Sequence, residues 1–483
     1  MNTPLRRLSV VVLVMFLALM GSATWIQYGQ AGALNDDPRN VRTVYRDYGA
    51  DRGPIVVAGE EVAYSTEVDT PFGFQRVYTD GPLYAHSTGY FSMYQMTGIE
   101  RAATSVLAGT DDSLLWSRIR ALITGSQQQG GSVELSLDPA AQQAAYDALG
   151  DQRGAVVALD PSTGAILAMV SKPSFDPNDL AVHSSTEVNE TYNALVADES
   201  NPLINRAIGG SLYAPGSTFK LIDAAMLLES GDYDPDSQVP APVELELPQT
   251  DHVIRNPGGG PCTSADTVTL TYALQVSCNT PFSALAMEFG EEALAEQAEA
   301  FGFGAQLSIP LEVTPSVFPT GMNDAQVAMS AIGQYDVRVS PLQMAMVSAA
   351  IANDGVLMEP YLISTERGPN LQVTSTTEPT EMGEPMSAST AAQLRQMMVA
   401  VVENGTGTAG QIPGVSVAGK TGTAESGTDA PQHAWFTAFA PAEDPQVAVA
   451  VVVEHGGAQG DEATGGRTAA PIAAAVMEAV MDR

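Results

Sequence analysis

The hydrophobic pattern begins with one long uncharged segment near the N-terminus. Arg6 and Arg7 precede the uncharged and mostly apolar residues Leu8 to Ile26. A stretch of this length can just cross a bilayer as a helix, and the arginines favour a cytoplasmic N-terminus. We therefore predict a cytoplasmic tail (residues 1–7) and an uncleaved anchor (residues 8–27), with the remainder outside the cytoplasm. The alternative is a cleaved signal peptide, although the apolar segment is long for one and the candidate cleavage site at residues 30–33 is weak.

Two apolar segments joined by a turn predict a β-hairpin. Gly154–Asp160 and Ala165–Ser171 flank the turn residues Pro161–Gly164, and both are apolar at nearly every position. Strands of this kind have both faces covered by helices. A helical pattern over Ala140–Leu149 precedes the hairpin.

The C-terminal part of the chain contains more strands and ends in a helix. Three strand-like segments, Gly414–Glu425, Ala434–Ala440 and Val447–Glu454, precede a helical pattern from about Thr468 to Met481. The section from Leu221 to about Asn353 is mostly helical in pattern. Strands at both ends with helices between them predict that the two ends of this domain meet in one antiparallel sheet. The predicted fold class is therefore α/β (α+β), with an antiparallel sheet flanked by helices.

Residues 28–150 have a polar and mixed pattern that sets them apart. They contain short extended segments such as Gly53–Ala58, a predicted helix around residues 111–124, and a loop rich in glycine and glutamine over residues 125–131. We predict a separate, irregular N-terminal domain over residues 28–150 and a second domain over residues 151–483. No internal repeats are present in the sequence.

Composition excludes some classes of function. The formal net charge of −35 makes nucleic acid a poor partner, because phosphate binding needs clustered Lys and Arg. The five histidines are scattered and the two cysteines have no neighbours at metal-ligand spacing, so we predict no metal and no cofactor.

Only three of the 21 basic residues are lysines, at positions 172, 220 and 420. A chain that otherwise uses arginine has kept lysine where an amine that can lose its proton is useful.

The stretch Tyr213–Lys220 carries the first candidate chemistry. A helix is predicted to begin near Ser217, so that Ser217 and Lys220, three positions apart, lie on one face. A serine hydroxyl becomes a nucleophile when a base lies within hydrogen-bond reach, and a deprotonated lysine can be that base. The alternative is an N-cap serine followed by a solvated lysine.

Two further stretches offer groups for the same site. Ser277 and Asn279 stand two apart on a predicted loop and can point into one cleft, although Ser-x-Asn is also a common turn. Lys420-Thr421-Gly422-Thr423 is predicted to lie on a strand. There Lys420, Thr421 and Thr423 can bind a carboxylate, while Gly422 lets a substrate backbone approach. The alternative for this second stretch is a glycine-flanked turn with a solvated lysine.

In the order Ser-x-x-Lys, Ser-x-Asn, Lys-Thr-Gly, these motifs are the signature of penicillin-binding proteins and serine β-lactamases. The chain resembles class B penicillin-binding proteins of the small actinobacterial type over nearly its whole length after the membrane segment. Other stretches that resemble this family are Pro202–Ala207 and Tyr213–Lys220 around the serine, Pro161–Asn178, Ile332–Gln334 and Ser340–Met344, and, in the N-terminal pedestal, Arg52–Ile55 and Thr97–Arg101.

The resemblance implies a role for each motif residue. Ser217 would be the acylated nucleophile and Lys220 its base, while Ser277 and Asn279 would relay protons and hold the substrate amide. Lys420, Thr421 and Thr423 would bind the terminal carboxylate, and the backbone N–H groups of Ser217 and Thr423 would form an oxyanion hole.

The implied reaction is D,D-transpeptidation through a serine acyl-enzyme. Its substrates would be peptidoglycan stem peptides ending in D-Ala-D-Ala, and β-lactams would acylate the same serine. The implied partner is a SEDS-type glycosyltransferase within a cell-wall synthesis complex at the membrane. A D,D-carboxypeptidase and a non-catalytic sensor or scaffold remain as alternatives. A β-lactamase is less well matched because no Glu-x-x-Leu-Asn stretch lies between Asn279 and Lys420, and an α/β-hydrolase is excluded because Ser217 has no Gly-x-Ser-x-Gly surroundings.

The two cysteines lie close to the second motif. Cys278 stands between Ser277 and Asn279, and Cys262 lies sixteen positions earlier, beyond a glycine-rich loop. In an oxidising compartment the two can form a disulfide that closes this loop. The alternative is two unpaired thiols.

Overall fold

An apolar helix is the first element of the chain. In a computed structural model, which describes residues 2–30, 48–70, 72–111, 129–210, 212–425 and 431–482, the helix α1 (Asn2–Thr24) continues as a π-helical turn, Trp25–Gly29. Leu5–Gly29 make up 25 residues that are long and apolar enough to cross a membrane. The predicted helix around residues 111–124 and most of the predicted loop over residues 125–131 lie outside the described residues.

The rest of the described chain contains the following strands and helices, connected by turns and loops. The strands are β1 (Ile55–Val57), β2 (Glu60–Glu67), β3 (Phe74–Tyr78), β4 (Ser132–Leu135), β5 (Gly154–Leu159), β6 (Ile166–Lys172), β7 (Gln238–Pro240), β8 (Glu244–Glu246), β9 (Val253–Arg255), β10 (Thr267–Thr269), β11 (Leu357–Met358), β12 (Ile363–Arg367), β13 (Val373–Thr376), β14 (Glu381–Gly383), β15 (Ala418–Ala424), β16 (His433–Ala440) and β17 (Val447–Val453). The helices after α1 are α2 (Gly81–Thr88), α3 (Gly98–Ala102), α4 (Thr104–Leu107), α5 (Pro139–Leu149), α6 (Ser185–Ala197), α7 (Lys220–Glu229), α8 (Leu270–Gln275), α9 (Thr280–Ala300), α10 (Asp324–Ala331), α11 (Pro341–Ala352), α12 (Ala388–Asn404) and α13 (Ala470–Met481).

The central sheet has five strands in the order β15-β16-β17-β5-β6, and every neighbouring pair is antiparallel. The predicted hairpin is β5–β6 and the predicted C-terminal strands are β15 to β17, so the two ends of this region meet in one sheet as predicted. Val156 and Ala158 pack in one hydrophobic cluster with α5 and α13, whereas Ala155 and Val157 pack in another with α11. Because both faces are covered, β5, β6 and β17 are buried at every position.

A second sheet of six strands has the order β13-β12-β4-β1-β2-β3. Its strand β4 is parallel to β1 and antiparallel to β12. The hairpin β12–β13 comes from residues 363–376, so a distant part of the chain returns to complete the N-terminal sheet. Sequence analysis assigned no strands there, because the hairpin residues are half-buried or exposed and carry no continuous apolar run.

The prediction that the middle of the chain is mostly helical is wrong for residues 230–269. Two small antiparallel pairs, β7–β10 and β8–β9, lie between α7 and α8. Each of these strands has only three residues. A strand of three residues is too short to give an alternating pattern that sequence analysis can detect. These short pairs matter because β9 forms one wall of the cleft described below.

A buried group of charges stabilises the N-terminal domain. The carboxylate of Glu100 accepts hydrogen bonds from Arg52 Nε at 2.5 Å, from Arg76 Nε at 2.6 Å and from the Tyr78 hydroxyl at 3.2 Å. All four side chains are buried. Burial disfavours the ionised carboxylate, but the two guanidinium groups outweigh this effect and hold the pKa of Glu100 below its usual value.

Replacing Glu100 leaves two buried guanidinium groups without their carboxylate. Removal of one partner from a buried ion pair costs about 3–5 kcal/mol, so we expect Glu100→Ala to lower the free energy of unfolding by that amount. The control is Glu134→Ala, because Glu134 and Arg367 form a partly exposed pair at 3.2 Å of a kind that contributes about 0–1 kcal/mol. Unfolding of the purified variants measures both effects, and equal losses would contradict the prediction.

Candidate active site

Ser217 lies on a tight turn at the start of the helical segment. Gly216–Phe219 form a single 3-10 turn that leads into α7 at Lys220. Gly216 has a φ of +53°, and its N–H donates to the carbonyl of Gly333 at 3.0 Å. A Cβ at Gly216 would lie 2.6 Å from the carbonyl oxygen of Thr423. The turn can therefore pack directly against β15, and it brings Ser217 beside the third motif.

The segment before Ser217 is anchored to the central sheet. Tyr213 donates its hydroxyl hydrogen bond to Glu454 Oε1 at 2.7 Å, and Arg206 Nε donates to the same oxygen at 2.8 Å. The indole of Trp435 on β16 donates to the carbonyl of Ala214 at 3.0 Å. These bonds fix the backbone that carries Ser217, and sequence analysis did not identify Glu454 or Trp435.

Lys220 is fully buried, and its amine faces the second motif. Lys220 Nζ donates to the Ser277 carbonyl at 2.8 Å and to Asn279 Oδ1 at 2.8 Å, and it lies 3.3 Å from Ser277 Oγ. Burial and the nearby amine of Lys420 hold the pKa of Lys220 well below its usual value. A lysine in this environment can hold a free amine and accept a proton.

Ser277 connects the two lysines. Its loop lies between α8 and α9, and its Oγ accepts from Lys420 Nζ at 2.9 Å in addition to its contact with Lys220. Ser277 and Asn279 thus face one cleft, whereas Cys278 points away and is joined to Cys262 by a disulfide with a Cα–Cα distance of 5.9 Å. A hydroxyl placed between two amines can pass a proton from one to the other.

Lys420 reaches the site from the strand β15, as the pattern predicted. Its amine also donates to the Thr421 carbonyl at 2.9 Å, and burial lowers the pKa of Lys420 to about 7. The Thr421 hydroxyl lies 2.6 Å from that of Thr406. A Cβ on Gly422 would lie 2.8 Å from the Pro215 carbonyl oxygen, so the missing side chain lets the Ser217 turn pack against the strand.

The motif residues line one cleft with a volume of about 750 Å³. Lys220 and Lys420 lie beneath this surface with no exposed area, whereas the cleft wall includes Ser217, Ser277, Asn279, Thr421, Gly422 and Thr423. Residues 252–255 and 464–467 form further parts of the wall. All eight predicted catalytic and substrate-binding residues thus come together in or directly under one cleft.

Sequence analysis missed two polar residues beside this cleft. Asp223 lies one turn after Lys220 on α7, is fully buried, and has no hydrogen-bond partner on either oxygen within the described parts of the chain. Burial raises the pKa of Asp223 well above its usual value, although Lys220 opposes the shift. Asp223 could have been noticed in the sequence as the one acidic residue within an apolar helical stretch. The second missed residue is Asn256, whose Oδ1 accepts from the backbone N–H of Asn279, and no sequence pattern marks it.

Comparison with known proteins identifies the family. A family described as "Penicillin binding protein transpeptidase domain" matches residues 154–478, and one described as "Penicillin binding protein A dimerisation domain" matches residues 52–133. This chain belongs to the penicillin-binding protein transpeptidases. It is 44% identical over 491 residues to the peptidoglycan D,D-transpeptidase PbpA of Mycolicibacterium smegmatis, with 100% of this chain and 99% of that protein covered.

Solved structures of this family have the same fold. The ceftriaxone acyl-enzyme complex of penicillin-binding protein A from M. tuberculosis is 42% identical, with a TM-score of 0.88 over 90% of this chain and 100% of that chain. A D,D-transpeptidase domain from Eggerthella lenta is 34% identical, with a TM-score of 0.75 over 90% of this chain and 98% of that chain. The predicted fold class and the predicted class B family are confirmed.

Because of the disulfide, we expect the stability and the acylation rate of the protein to be sensitive to reduction. A bridge between residues sixteen positions apart stabilises by about 3 kcal/mol in the chain-entropy treatment, so reduction should lower the melting temperature of the protein. Because Cys278 lies between Ser277 and Asn279, acylation should also become slower without being lost. Melting curves and β-lactam labelling with and without reductant measure both effects.

The double variant Cys262→Ser, Cys278→Ser is the control for the reductant itself. We expect its melting temperature to be low and unchanged by reductant. Two free thiols in protein taken from an oxidising compartment would contradict the pairing.

Proposed function

We propose that this penicillin-binding protein is a peptidoglycan D,D-transpeptidase that cross-links stem peptides through an acyl-enzyme at Ser217 and is acylated by β-lactams at the same residue. The observation that carries the proposal is the pair of buried amines on either side of Ser277, directly beneath the cleft that Ser217 lines. The named activity of PbpA relatives over the full length of the chain supports it.

Acylation begins at the Ser217 hydroxyl. Its Oγ attacks the carbonyl carbon between the two terminal D-alanines of a donor stem, and Lys220 accepts the hydroxyl proton. The backbone N–H groups of Ser217 and Thr423 stabilise the negative oxygen of the tetrahedral intermediate. The peptide bond then breaks, Ser277 passes a proton from the lysine pair to the departing D-alanine amine, and an ester remains on Ser217.

Transfer reverses these proton movements. The amine of an acceptor stem attacks the ester carbonyl, its proton passes to Lys220, and Ser217 leaves as the restored hydroxyl. Thr421 and Thr423 hold the donor's terminal carboxylate during the first step, with the amine of the buried Lys420 beneath them, while Asn279 holds the substrate amide. Gly422 keeps this strand close to Ser217.

The same proposal covers placement in the cell. The apolar stretch Leu5–Gly29 supports a single-pass anchor, and Arg6 and Arg7 favour a cytoplasmic N-terminus with the catalytic domain outside. We assign residues 28–150 to the pedestal and residues 151–483 to the transpeptidase domain, with two exceptions. Helix α5 packs on the central sheet, and the hairpin β12–β13 pairs with the pedestal sheet. The partner is a SEDS-type glycosyltransferase of a cell-wall synthesis complex, which supplies the glycan strands that this enzyme cross-links.

The nucleophile and its base are tested together by acylation. Incubation with a penicillin should add one drug mass to a peptide that contains Ser217, and Ser217→Ala should abolish this labelling. Lys220→Arg should abolish it as well, because a guanidinium keeps its charge and cannot accept the proton. Intact-mass and peptide mass spectrometry measure both outcomes.

A structural lysine gives the matched control for Lys220. Lys172→Arg changes an amine that donates to the Gly150 carbonyl at 2.6 Å, away from the cleft, and should acylate as the wild type does. Labelling that persists in Ser217→Ala would refute the assignment of the nucleophile.

The acyl-enzyme should be long-lived. A transpeptidase cleft favours an amine acceptor, so water should release the penicilloyl group far more slowly than a β-lactamase does. We expect labelled protein to persist for many minutes after free penicillin is removed, as followed by mass spectrometry. Penicillin hydrolysis within the usual enzyme range of about 1–10³ per second would instead make the chain a β-lactamase.

A further inference from the structure

Asn256 is buried in the segment that follows β9, and it forms hydrogen bonds in two directions. Its Oδ1 accepts from the backbone N–H of Asn279 at 2.9 Å and from the backbone N–H of Thr280 at 3.1 Å. The Thr280 hydroxyl lies 3.2 Å from the same oxygen but is closer to the Pro242 carbonyl, at 2.7 Å. Its Nδ2 donates to the carbonyl of Pro242 at 3.1 Å. One side chain thus ties the start of α9 to the connection between β7 and β8.

These bonds replace a cap that α9 cannot make for itself. Asn279 occupies the N-cap position of this helix, where an asparagine oxygen ordinarily accepts a backbone N–H of the first turn. Asn279 makes no such bond, because its Oδ1 accepts from Lys220 Nζ at 2.8 Å. Asn256 instead binds the N–H groups of Asn279 and Thr280 from more than twenty positions earlier in the chain.

The neighbouring residue fixes the other end of the Asn279 amide. Asn279 Nδ2 donates to the carbonyl of Arg255 at 2.7 Å, so the amide oxygen is turned toward Lys220. Rotation of this amide would place an N–H group against the lysine amine. Residues 255 and 256 together therefore hold both the backbone position and the side-chain orientation of Asn279.

We propose that Asn256 is a positioning residue for transpeptidation. It holds the loop that carries Ser277 and Asn279 at hydrogen-bonding distance from the amine of Lys220. This inference rests on the function proposed above. Asn256 itself stays out of contact with the reacting atoms: it acts through Asn279 and Thr280, and its own side chain is only 4% exposed.

The disulfide is a second and separate attachment of the same loop. Cys262–Cys278 joins the loop to the chain on the far side of Gly258 and Gly259, two residues with positive φ. Asn256 lies on the near side of these glycines. Because the two attachments are made by different bonds, removal of Asn256 should impair acylation even when the disulfide is intact.

The test compares variants that keep or remove the acceptor oxygen. Asn256→Ala removes the hydrogen bonds to both backbone N–H groups and to Pro242, whereas Asn256→Asp keeps an oxygen for the two N–H donors and loses the bond to Pro242. Displacement of a catalytic group by about 1 Å costs about 10²-fold in rate. We expect the first-order acylation step of the full-length protein to slow about 10- to 100-fold in Asn256→Ala and by less than about fivefold in Asn256→Asp.

The kinetic readout separates positioning from a general loss of stability. Acylation by a fluorescent penicillin at increasing concentration gives the first-order step and the apparent binding constant separately. The first-order step should fall by a larger factor than the binding constant changes, because Thr421 and Thr423 bind the carboxylate from β15 and only Asn279 contributes to binding from this loop.

The matched control is Asn178→Ala. Asn178 also binds backbone with both ends of its amide, accepting from the Tyr78 N–H and donating to the Tyr78 carbonyl at 2.9 Å each, in the N-terminal part of the molecule. The melting temperature of this variant should fall by about as much as that of Asn256→Ala, while its acylation rate should equal that of the wild type.

Several outcomes would overturn the inference. A first-order acylation rate in Asn256→Ala equal to that of the wild type would do so. Equal losses of this rate in Asn256→Ala and Asn256→Asp would also contradict it, as would equal losses in Asn256→Ala and Asn178→Ala. If Asn256→Ala does not fold, Asn256→Gln takes its place, since one extra methylene displaces the acceptor and should slow acylation relative to Asn256→Asp. Failure of the wild type to acylate at Ser217 would instead refute the proposed function.

Discussion

The burial of two lysine amines around one serine hydroxyl is the constraint on which the site depends. Lys220 and Lys420 both contact Ser277 Oγ, and neither has any exposed surface. No carboxylate forms an ion pair with either amine among the described residues. The amines are instead surrounded by carbonyl and hydroxyl oxygens, which accept hydrogen bonds without supplying full negative charge. Two ammonium groups so close together in a dry environment would repel each other strongly, so the arrangement favours loss of a proton.

Much of the fold serves to bring these three groups together from distant parts of the sequence. Lys420 stands on a strand whose backbone is fixed by pairing with β16. Lys220 begins helix α7, which packs against α9, the helix that follows the Ser277 loop. The Ser217 turn fits against β15 because Gly216 and Gly422 have no side chains at the point of contact. Gly422 is therefore required for contact between two protein segments, whereas sequence analysis explained this glycine by the approach of a substrate backbone alone.

Sequence patterns predicted the motif residues and the central sheet because both are encoded locally. Three or four residues fix the spacing of each motif, and a continuous apolar run marks a strand covered on both faces. Asn256 and the hairpin β12–β13 could not be predicted in this way. The hydrogen bonds of Asn256 join residues more than twenty positions apart with no periodic signal, and the hairpin is recruited by pairing with β4 rather than by burial of an apolar face. Such features depend on the folded arrangement, which no local window contains.

Asp223 completes the electrostatic argument because it lies beside Lys220 without neutralising it. An ionised carboxylate there would stabilise the positive form of Lys220 and so keep its amine protonated. Its complete burial and the lack of a hydrogen-bond partner on either oxygen among the described residues make ionisation costly, and burial raises the pKa of Asp223 well above its usual value. The charged form of Lys220 opposes this shift, since a positive amine favours ionisation of the neighbouring acid. Burial of Asp223 therefore acts in the same direction as burial of the two lysines, against a full charge in this part of the interior.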